Sequence, residues 1–342
     1  MSRSRPRRAK NKEEEKATGS RLTMADLAQL AGVSAITVSR ALRDSPLVNA
    51  QTREQIRALA KREGYQFNVS ARNLRLRRSM TVAVVVEMKP SVDRQMSGAY
   101  PLALLGGISQ ELTSAGYSVL LTSLQGGTLP GVQAADGVIL LGQGANEDAM
   151  HEVQGWGRPM VVWGAVSRHG SQVVVGSDNL RGGALAAERF IALGRQRPVF
   201  LGDCVYGEFA ERQAGYSQVL TRHGLGILIP EVSGITVNAG ASAVHALLDQ
   251  HPRFDALFAA SDLLAIGAVR ALIERGRRVP EDVSVIGYDD TPLGATYLPP
   301  LSSIHQNFSD AGVLLARKIM ALIDGGTARS EILATHLVVR ST

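Results

Sequence analysis

The residues best placed to do chemistry lie between Thr23 and Leu42, in the run TMADLAQLAGVSAITVSRAL. Ala35, Ile36, Thr37, Ser39 and Arg40 share the outward face of a short helix that Ser34 can cap, while Val38, Ala41 and Leu42 share its inward face. A surface of small apolar groups, hydroxyls and one Arg suits a DNA major groove. Any small helical hairpin shows part of this pattern, so the surrounding residues decide what it means.

Those surroundings are consistent. Thr23 can cap a preceding helix, and Asp26 three residues later completes a capping-box pattern. Leu27, Leu30 and Ala31 fall at helical spacing and predict that helix's apolar face. Gly32 breaks the helix, because Gly takes the positive φ that a helix C-terminus often needs, and Val33 plugs the turn. A third helix is expected over Asn49–Glu63, capped by Asn49, burying Ile56, Leu59 and Ala60, and ended by Gly64. Together they make a domain of under 50 residues.

Charge divides the chain in the same place. Residues 1–78 hold 18 Lys and Arg against 7 Asp and Glu, whereas residues 79–342 hold 19 against 24. A basic head on a mildly acidic body is expected when one part meets phosphates and the other does not. Without residues 1–20, which read as a disordered basic tail, residues 21–78 still carry +7. After Tyr65, the stretch NVSARNLRLRRS predicts a short basic helix capped by Asn68 and containing Ala71, Leu74 and Arg75. It is too short and basic to be stable alone in water, but pairing with a symmetry mate on DNA gives it a reason to form. Leu74 would then be a wedge for a minor-groove base step, with Arg75 beside it. The other reading is an ordinary basic linker.

Composition excludes several classes. Cys204 is the one cysteine among 342 residues, so no intrachain disulfide forms and a reducing compartment fits. No apolar run spans a bilayer, and the N-terminus lacks the apolar core of a signal peptide; the expected location is the cytoplasm. One Cys and seven scattered His give no metal-ligand spacing, and nothing calls for a cofactor.

From Met80 onward strands and helices alternate. Strands are expected at Thr81–Met88, Ser118–Ser123, Asp136–Gly142, Met160–Trp163, Val173–Gly176, Val199–Gly202, Ala256–Ala260 and Val283–Gly287. Helices are expected at Leu102–Ala115, Leu180–Leu193, Glu208–His223, Ala241–Gln250 and Leu263–Glu274. Val-rich strands without alternation imply parallel sheets covered on both faces, which bind ligands at the carboxyl ends of their strands. About 260 residues is long for one doubly wound sheet, so two subdomains with a cleft are expected. The irregular stretch Lys89–Pro101 either lines that cleft or is a surface excursion. There is no Walker-type phosphate loop and no Ser nucleophile elbow, so the paired carboxylate Asp289–Asp290 stands as a ligand contact or cap rather than an enzyme's acid and base.

Several segments in order resemble the LacI/GalR family of bacterial transcription regulators: MADLAQLAGVSAITVSRAL, TREQIRALAKREGYQFN, NVSARNLR, DNLRGG, ERQAGY, ASDLLAIGAVRAL, VSVIGYDDT and PPLSSIHQNF. The body also resembles periplasmic sugar-binding proteins. The resemblance implies an all-α helix-turn-helix headpiece over 21–67, a hinge helix and linker over 68–79, and an α/β core over 80–342 made of two doubly wound subdomains. The first would hold about 80–177 and 306–330, the second about 178–305 and 331–342. It further implies a homodimer, a palindromic DNA operator, and control by a small molecule, a sugar or sugar derivative, in the cleft.

By that resemblance Ala35, Ile36 and Arg40 choose bases, and Thr23, Ser34, Thr37, Ser39, Asn49 and Thr52 contact phosphates, though most of these are equally good helix caps. Tyr65, Asn68, Leu74 and Arg75 complete the DNA-contacting set. Arg212 and Asp289 match residues that grip the effector, and Ser261 stands where relatives often carry Asn. Gly164 falls where a lactose-responsive relative has an acidic ligand residue, so that relative's sugar preference does not transfer. Tyr206 and Phe308 are either aromatic faces for a sugar or core aromatics. A runner-up reading is a small-molecule-binding protein whose basic head is an interaction tail.

Overall fold

The computed structural model describes residues 22–65, 78–87, 98–124, 130–144, 147–166, 172–250 and 253–342. The chain divides into two compact units at Arg77/Arg78.

The first unit is a three-helix headpiece of α1 (Met24–Leu30), α2 (Ala35–Ala41) and α3 (Ala50–Arg62). Each helix starts on a side-chain cap three residues upstream of the N–H it satisfies: Thr23 for Asp26, Ser34 for Thr37, Asn49 for Thr52. The core is Leu27, Ala28, Val38, Ala41, Val48, Ile56 and Ala60, with Val33, Leu42 and Leu59 packed against it. One sequence expectation fails here. Leu30 is 55% exposed and Ala28 is buried in its stead. In so short a helix the inward stripe is 27, 28 and 31, and Leu30 lies off it.

The second unit holds two sheets. The first runs β10-β5-β4-β3-β1-β2, built from β1 (Thr81–Val86), β2 (Ser118–Ser123), β3 (Gly137–Leu141), β4 (Met160–Trp163), β5 (Val173–Ser177) and β10 (Glu331–Leu333), every pair parallel. Its faces carry separate cores. One contains Val82, Val84 and Ile139 under α4 (Ala99–Ser114) and α12 (Phe308–Ile323); the other contains Ala83, Val85 and Leu140 with α5 (Pro130–Gln133) and α6 (Asp148–Gln154). Burial on both faces is why the inner strands β1, β3, β4 and β5 read as runs rich in Val, Ile and Leu. The second sheet runs β11-β9-β8-β7-β6, from β6 (Pro198–Leu201), β7 (Ala256–Ala259), β8 (Ser284–Asp289), β9 (Ser302–His305) and β11 (His336–Val338). It is parallel except that β11 lies antiparallel on β9. Around it stand α7 (Asn179–Ala192), α8 (Gly207–Arg222), α9 (Val237–Gln250), α10 (Asp262–Glu274) and α11 (Pro292–Thr296).

The chain crosses between sheets after β5, after β9 and after β10. Because β10 pairs with β5 in register Glu331↔Val175, the last crossing falls three residues beyond the boundary drawn from the sequence. The helix at the start of the 89–101 stretch's far end also differs: α4 begins at Ala99, so Ala99–Pro101 are its first turn rather than loop. Residues 88–97 lie outside the described set. Nothing beyond Gly287 carried an expected element, although α12 is a long amphipathic helix covering the first sheet.

Paired helices approach closely at glycines. A Cβ on Gly183 of α7 would sit 2.0 Å from the Arg212 carbonyl of α8, and one on Gly107 of α4 would sit 2.3 Å from the Ser309 carbonyl of α12. The α7–α8 contact fixes the height of Arg212 over the sheet, and so positions the site described next.

Candidate functional site

In the headpiece, α2 presents Ala35, Ile36 and Arg40 to solvent, Ile36 being 64% exposed. The Arg40 guanidinium makes no ion pair or hydrogen bond among the described residues. Its neighbours are occupied: Arg43 donates to the Ser39 carbonyl and hydroxyl at 2.9 and 2.8 Å, and Arg57 pairs with Asp44. An exposed isoleucine next to an uncommitted guanidinium suits a base edge.

The hydroxyl candidates have structural work already. The Thr23 hydroxyl accepts the Asp26 N–H and donates to Asp26 Oδ2 at 2.7 Å, and Oδ2 also accepts the Thr23 N–H at 2.8 Å; first the hydroxyl bond and then the N–H bond to Oδ2 hold the Asp26 carboxyl below the usual range. Ser34 Oγ lies 2.9 Å from Thr37 Oγ1 and accepts the Thr37 N–H at 3.1 Å. Asn49 Oδ1 accepts the Thr52 N–H at 2.7 Å. Tyr65 packs against the headpiece core, and burial raises its phenol. Asn68, Leu74 and Arg75 lie outside the described residues.

In the second unit, a cleft opens between the two sheets' subdomains at the carboxyl ends of their strands. It encloses about 100 Å³ of space that water centres can reach. Every effector candidate named from the sequence lines it: Gly164, Tyr206, Arg212, Ser261, Asp289 and Phe308.

Arg212, on α8, is buried and held on three sides. Nε donates to Asn179 Oδ1 at 2.9 Å, Nη1 donates to the Ala260 carbonyl at 2.6 Å, and the guanidinium lies 3.7 Å from the centroid of the Tyr288 ring. These contacts leave Nη2 for a ligand, and they fix the plane of the fork before any ligand arrives. Asp289 ends β8, and it and Asp290 adopt positive φ, 110° and 54°, consecutively. Such backbone is costly for non-glycine residues and is found at functional sites. The bend divides their tasks. Asp290 faces His305 at 3.0 Å and Arg340 at 2.6 Å, whereas Asp289 lines the cleft and accepts from Gln306 Nε2 at 2.6 Å. Burial pushes Asp289 up to about 7; the Arg212 charge opposes that rise and the Asp262 carboxylate adds to it.

Ser261 caps α10 through the Leu264 N–H. The next residue, Asp262, is fully buried and serves the fold: it accepts from Ser303 at 2.6 Å and from the Thr291 N–H and hydroxyl at 2.6 and 2.8 Å. Burial pushes it up to about 6 against those bonds. Phe308 both packs in the core and lines the cleft, with ring centroids 5.6 Å from Tyr100 and 5.9 Å from Trp163. Tyr206 lies 5.8 Å from Phe209 on the second subdomain. For Phe308 the two readings are not exclusive, since a core aromatic here also lines the cleft.

Sequence reasoning missed Gln143, Trp163, Asn179 and Gln306, which line the cleft together with Tyr100, a residue of the 89–101 stretch for which a cleft-lining role was one of two expectations. A signal existed for three of them. Gln143, Trp163 and Asn179 lie at, or within three residues of, the carboxyl end of an expected strand. Gln306 had none, since β9 was not expected. Among the described residues no cluster of three His, Cys, Asp or Glu could hold a metal ion, and no helix is long and apolar enough to cross a membrane.

Comparison with known proteins finds matches to both units. Residues 23–68 match the model of bacterial regulatory proteins, lacI family, and residues 187–342 match a periplasmic binding protein-like domain. The HTH-type transcriptional regulator CelR of Thermobifida fusca is 35% identical over 341 residues, covering 94% of this chain and 98% of its own. A solved Lac repressor dimer bound to operator and an anti-inducer superposes with a TM-score of 0.82 at 26% identity, covering 94% of this chain and 99% of that one. A solved complex of CelR with cellobiose gives 0.66 at 31% identity, covering 93% and 99%.

Proposed function

The chain belongs to the lacI family of bacterial regulatory proteins and is a DNA-binding transcriptional regulator, and from that premise we propose that it is a homodimeric repressor of a palindromic operator, controlled by a sugar or sugar derivative in the cleft. The observation that carries the control is that both subdomains line the cleft with polar and aromatic groups. Arg212, Asp289, Tyr206 and Phe209 come from the second subdomain, and Glu87, Tyr100, Trp163 and Phe308 from the first. A sugar offers hydroxyls to the polar groups and C–H faces to the aromatic ones, so it binds best when both lips touch it. A ligand with that preference shifts the angle between subdomains, and the hinge residues 68–79, read from the sequence, would carry the shift to the heads.

On DNA, Ile36 and Ala35 would meet thymine methyls and Arg40 a guanine edge, with Thr23, Ser34, Thr37, Ser39, Asn49 and Thr52 setting register on phosphates. Two identical heads on a dimer read half-sites in opposite orientation, hence the palindrome. Leu74 and Arg75 would enter the minor groove at its centre. The expected site of action is the bacterial cytoplasm.

Selection of bound duplexes from a random pool, repeated with a panel of sugars and sugar phosphates, tests the whole reading. The expected result is a symmetric site whose occupancy one sugar changes, with affinity falling steeply with salt. Arg40→Ala in the same selection should cost about 1–3 kcal/mol and relax one position per half-site. A flat salt dependence, or a protein that stays monomeric on its best duplex, overturns it.

A further inference from the structure

We propose that Gln143 closes one end of the cleft and sets the length of effector the protein accepts, with Gly164 as its necessary partner; this rests on the sugar-effector reading above. Gln143 stands just past β3 between Gly142 and Gly144, whose φ values of 93° and 80° turn the backbone sharply. That turn sends the side chain sideways across the end of β4. There it mimics one more rung of sheet: Nε2 donates to the Ala165 carbonyl at 2.8 Å, and Oε1 accepts the Ala165 N–H at 2.9 Å. The residue is 2% exposed yet lines the cleft.

Its volume lies where a side chain at position 164 would be. A Cβ on Gly164 would fall 2.6 Å from Cγ and Cδ and 2.7 Å from Oε1 of Gln143, and this amide end is held in place by its two bonds to Ala165. Gln143 and Gly164 are thus a large–small pair. The opposite lip closes on the same spot. A Cβ on Gly207, the first residue of α8, would fall 3.3 Å from Cβ of Ala165 and 3.7 Å from Oε1 of Gln143.

Gln143 therefore acts mainly by filling space. Each end of its amide already has a backbone partner, so it offers an effector little hydrogen bonding and no charge. It stops the ligand at Gly164 and Gly207. Taking it away would lengthen the cleft and leave the Ala165 N–H and carbonyl for a ligand hydroxyl to meet.

The test is calorimetry on the full-length protein with four pairs: D-glucose and cellobiose, D-galactose and lactose, D-xylose and xylobiose, D-mannose and mannobiose. Gln143→Ala should raise the affinity of the longer member relative to the shorter by about tenfold or more, whereas Gln143→Met, which keeps the volume without the amide, should leave that ratio within about threefold. Gly164→Ala alone should weaken all binding by about tenfold or more, and the double variant should recover it, the sign of direct coupling between the two positions. An unmoved ratio in Gln143→Ala, or a double variant no better than Gly164→Ala, overturns the inference. If the unaltered protein and every variant bind none of the eight sugars, it is the sugar-effector reading itself that fails.

Discussion

The headpiece and the cleft satisfy polar groups over different distances along the chain. In the headpiece the caps reach three residues: Thr23 to Asp26, Ser34 to Thr37, Asn49 to Thr52. In the cleft, Arg212 is held by Asn179, 33 residues away, and by the Ala260 carbonyl, 48 away, while Asp289 takes Gln306 from 17 away. The headpiece is thus assembled from self-sufficient turns. The cleft exists only when two sheets and their crossings are all in place. A site built this way can respond to a ligand that moves one subdomain; a site built from local turns is a rigid reader.

The comparison breaks first at Arg212. Arg212→Ala removes a cation that lines the cleft and also orphans Asn179 Oδ1 and the Ala260 carbonyl, so effector affinity should fall more than about 100-fold, within the range for truncating a buried charged partner. Arg212→Lys should rescue little, because an ammonium cannot lie flat on the Tyr288 ring and bond in two directions. Calorimetry with the selected sugar measures both. Specific DNA affinity without effector should change far less; an equal loss of DNA binding would show that the long-range network supports the heads as well.

Gly183 sharpens the same point through packing. Gly183→Ala puts a methyl 2.0 Å from the Arg212 carbonyl, which is rigid helix backbone, so α7 and α8 must separate. The cost should be about 1–3 kcal/mol in urea unfolding of the body, as for overpacked cores. Effector affinity should fall with it, while an unmoved affinity would show that Arg212 does not depend on the α7–α8 contact.

Local and distant construction also explain what could be read in advance. Caps, the turn at Gly32 and the exposed face of α2 are short-range patterns, and all were legible. Leu30 was misplaced because a seven-residue helix allows two competing apolar stripes. The Val-rich strands announced parallel sheets, and the effector candidates that the family resemblance marked do line the cleft. Gln306 was illegible because its significance lies in Asp289, a partner across the fold, and the strand-end position of Gln143 gave no sign of its pairing with Ala165, 22 residues on. An isolated Gln carries no pattern. Asp289 and Asp290 look alike in sequence, and only the backbone bend between them separates a cleft-lining carboxylate from an ion pair.

The buried carboxyls of Asp289 and Asp262 in the body and the capping carboxyl of Asp26 in the headpiece shift in opposite directions. Asp289 and Asp262 are raised to about 7 and about 6 by burial, above the roughly 3.9 of an unfolded Asp. The folded body therefore holds protons that the unfolded chain releases. Their contribution to stability is full below about pH 4 and is lost as pH rises through about 6 and then 7. Asp26 is lowered by its bonds to Thr23, so its contribution is present above the unfolded value and is lost on acidification. Melting curves from pH 4.5 to 8 should show the body losing stability toward neutrality, and Asp289→Asn should flatten the upper part of that slope. A body that gains stability over the same range would contradict the burial of these carboxyls.

The smallest effect separates structure from recognition within the headpiece. Thr23→Ala deletes the acceptor for the Asp26 N–H and the partner of the Asp26 carboxylate, and N-cap losses of this kind cost about 1 kcal/mol. In a core of seven side chains that is a visible fraction of the stability, so the headpiece should melt several degrees lower while the body's transition stays put. Thr23→Ser keeps the cap and should restore the melting temperature. If Thr23 serves only the cap, operator affinity measured well below the melting transition will be the same for all three proteins. If its hydroxyl also sets register on a phosphate, Thr23→Ala will weaken binding about equally on every sequence, because phosphate contacts carry no base preference. A loss confined to the selected operator would fit neither role and would mean that the cap orients α2 against the bases.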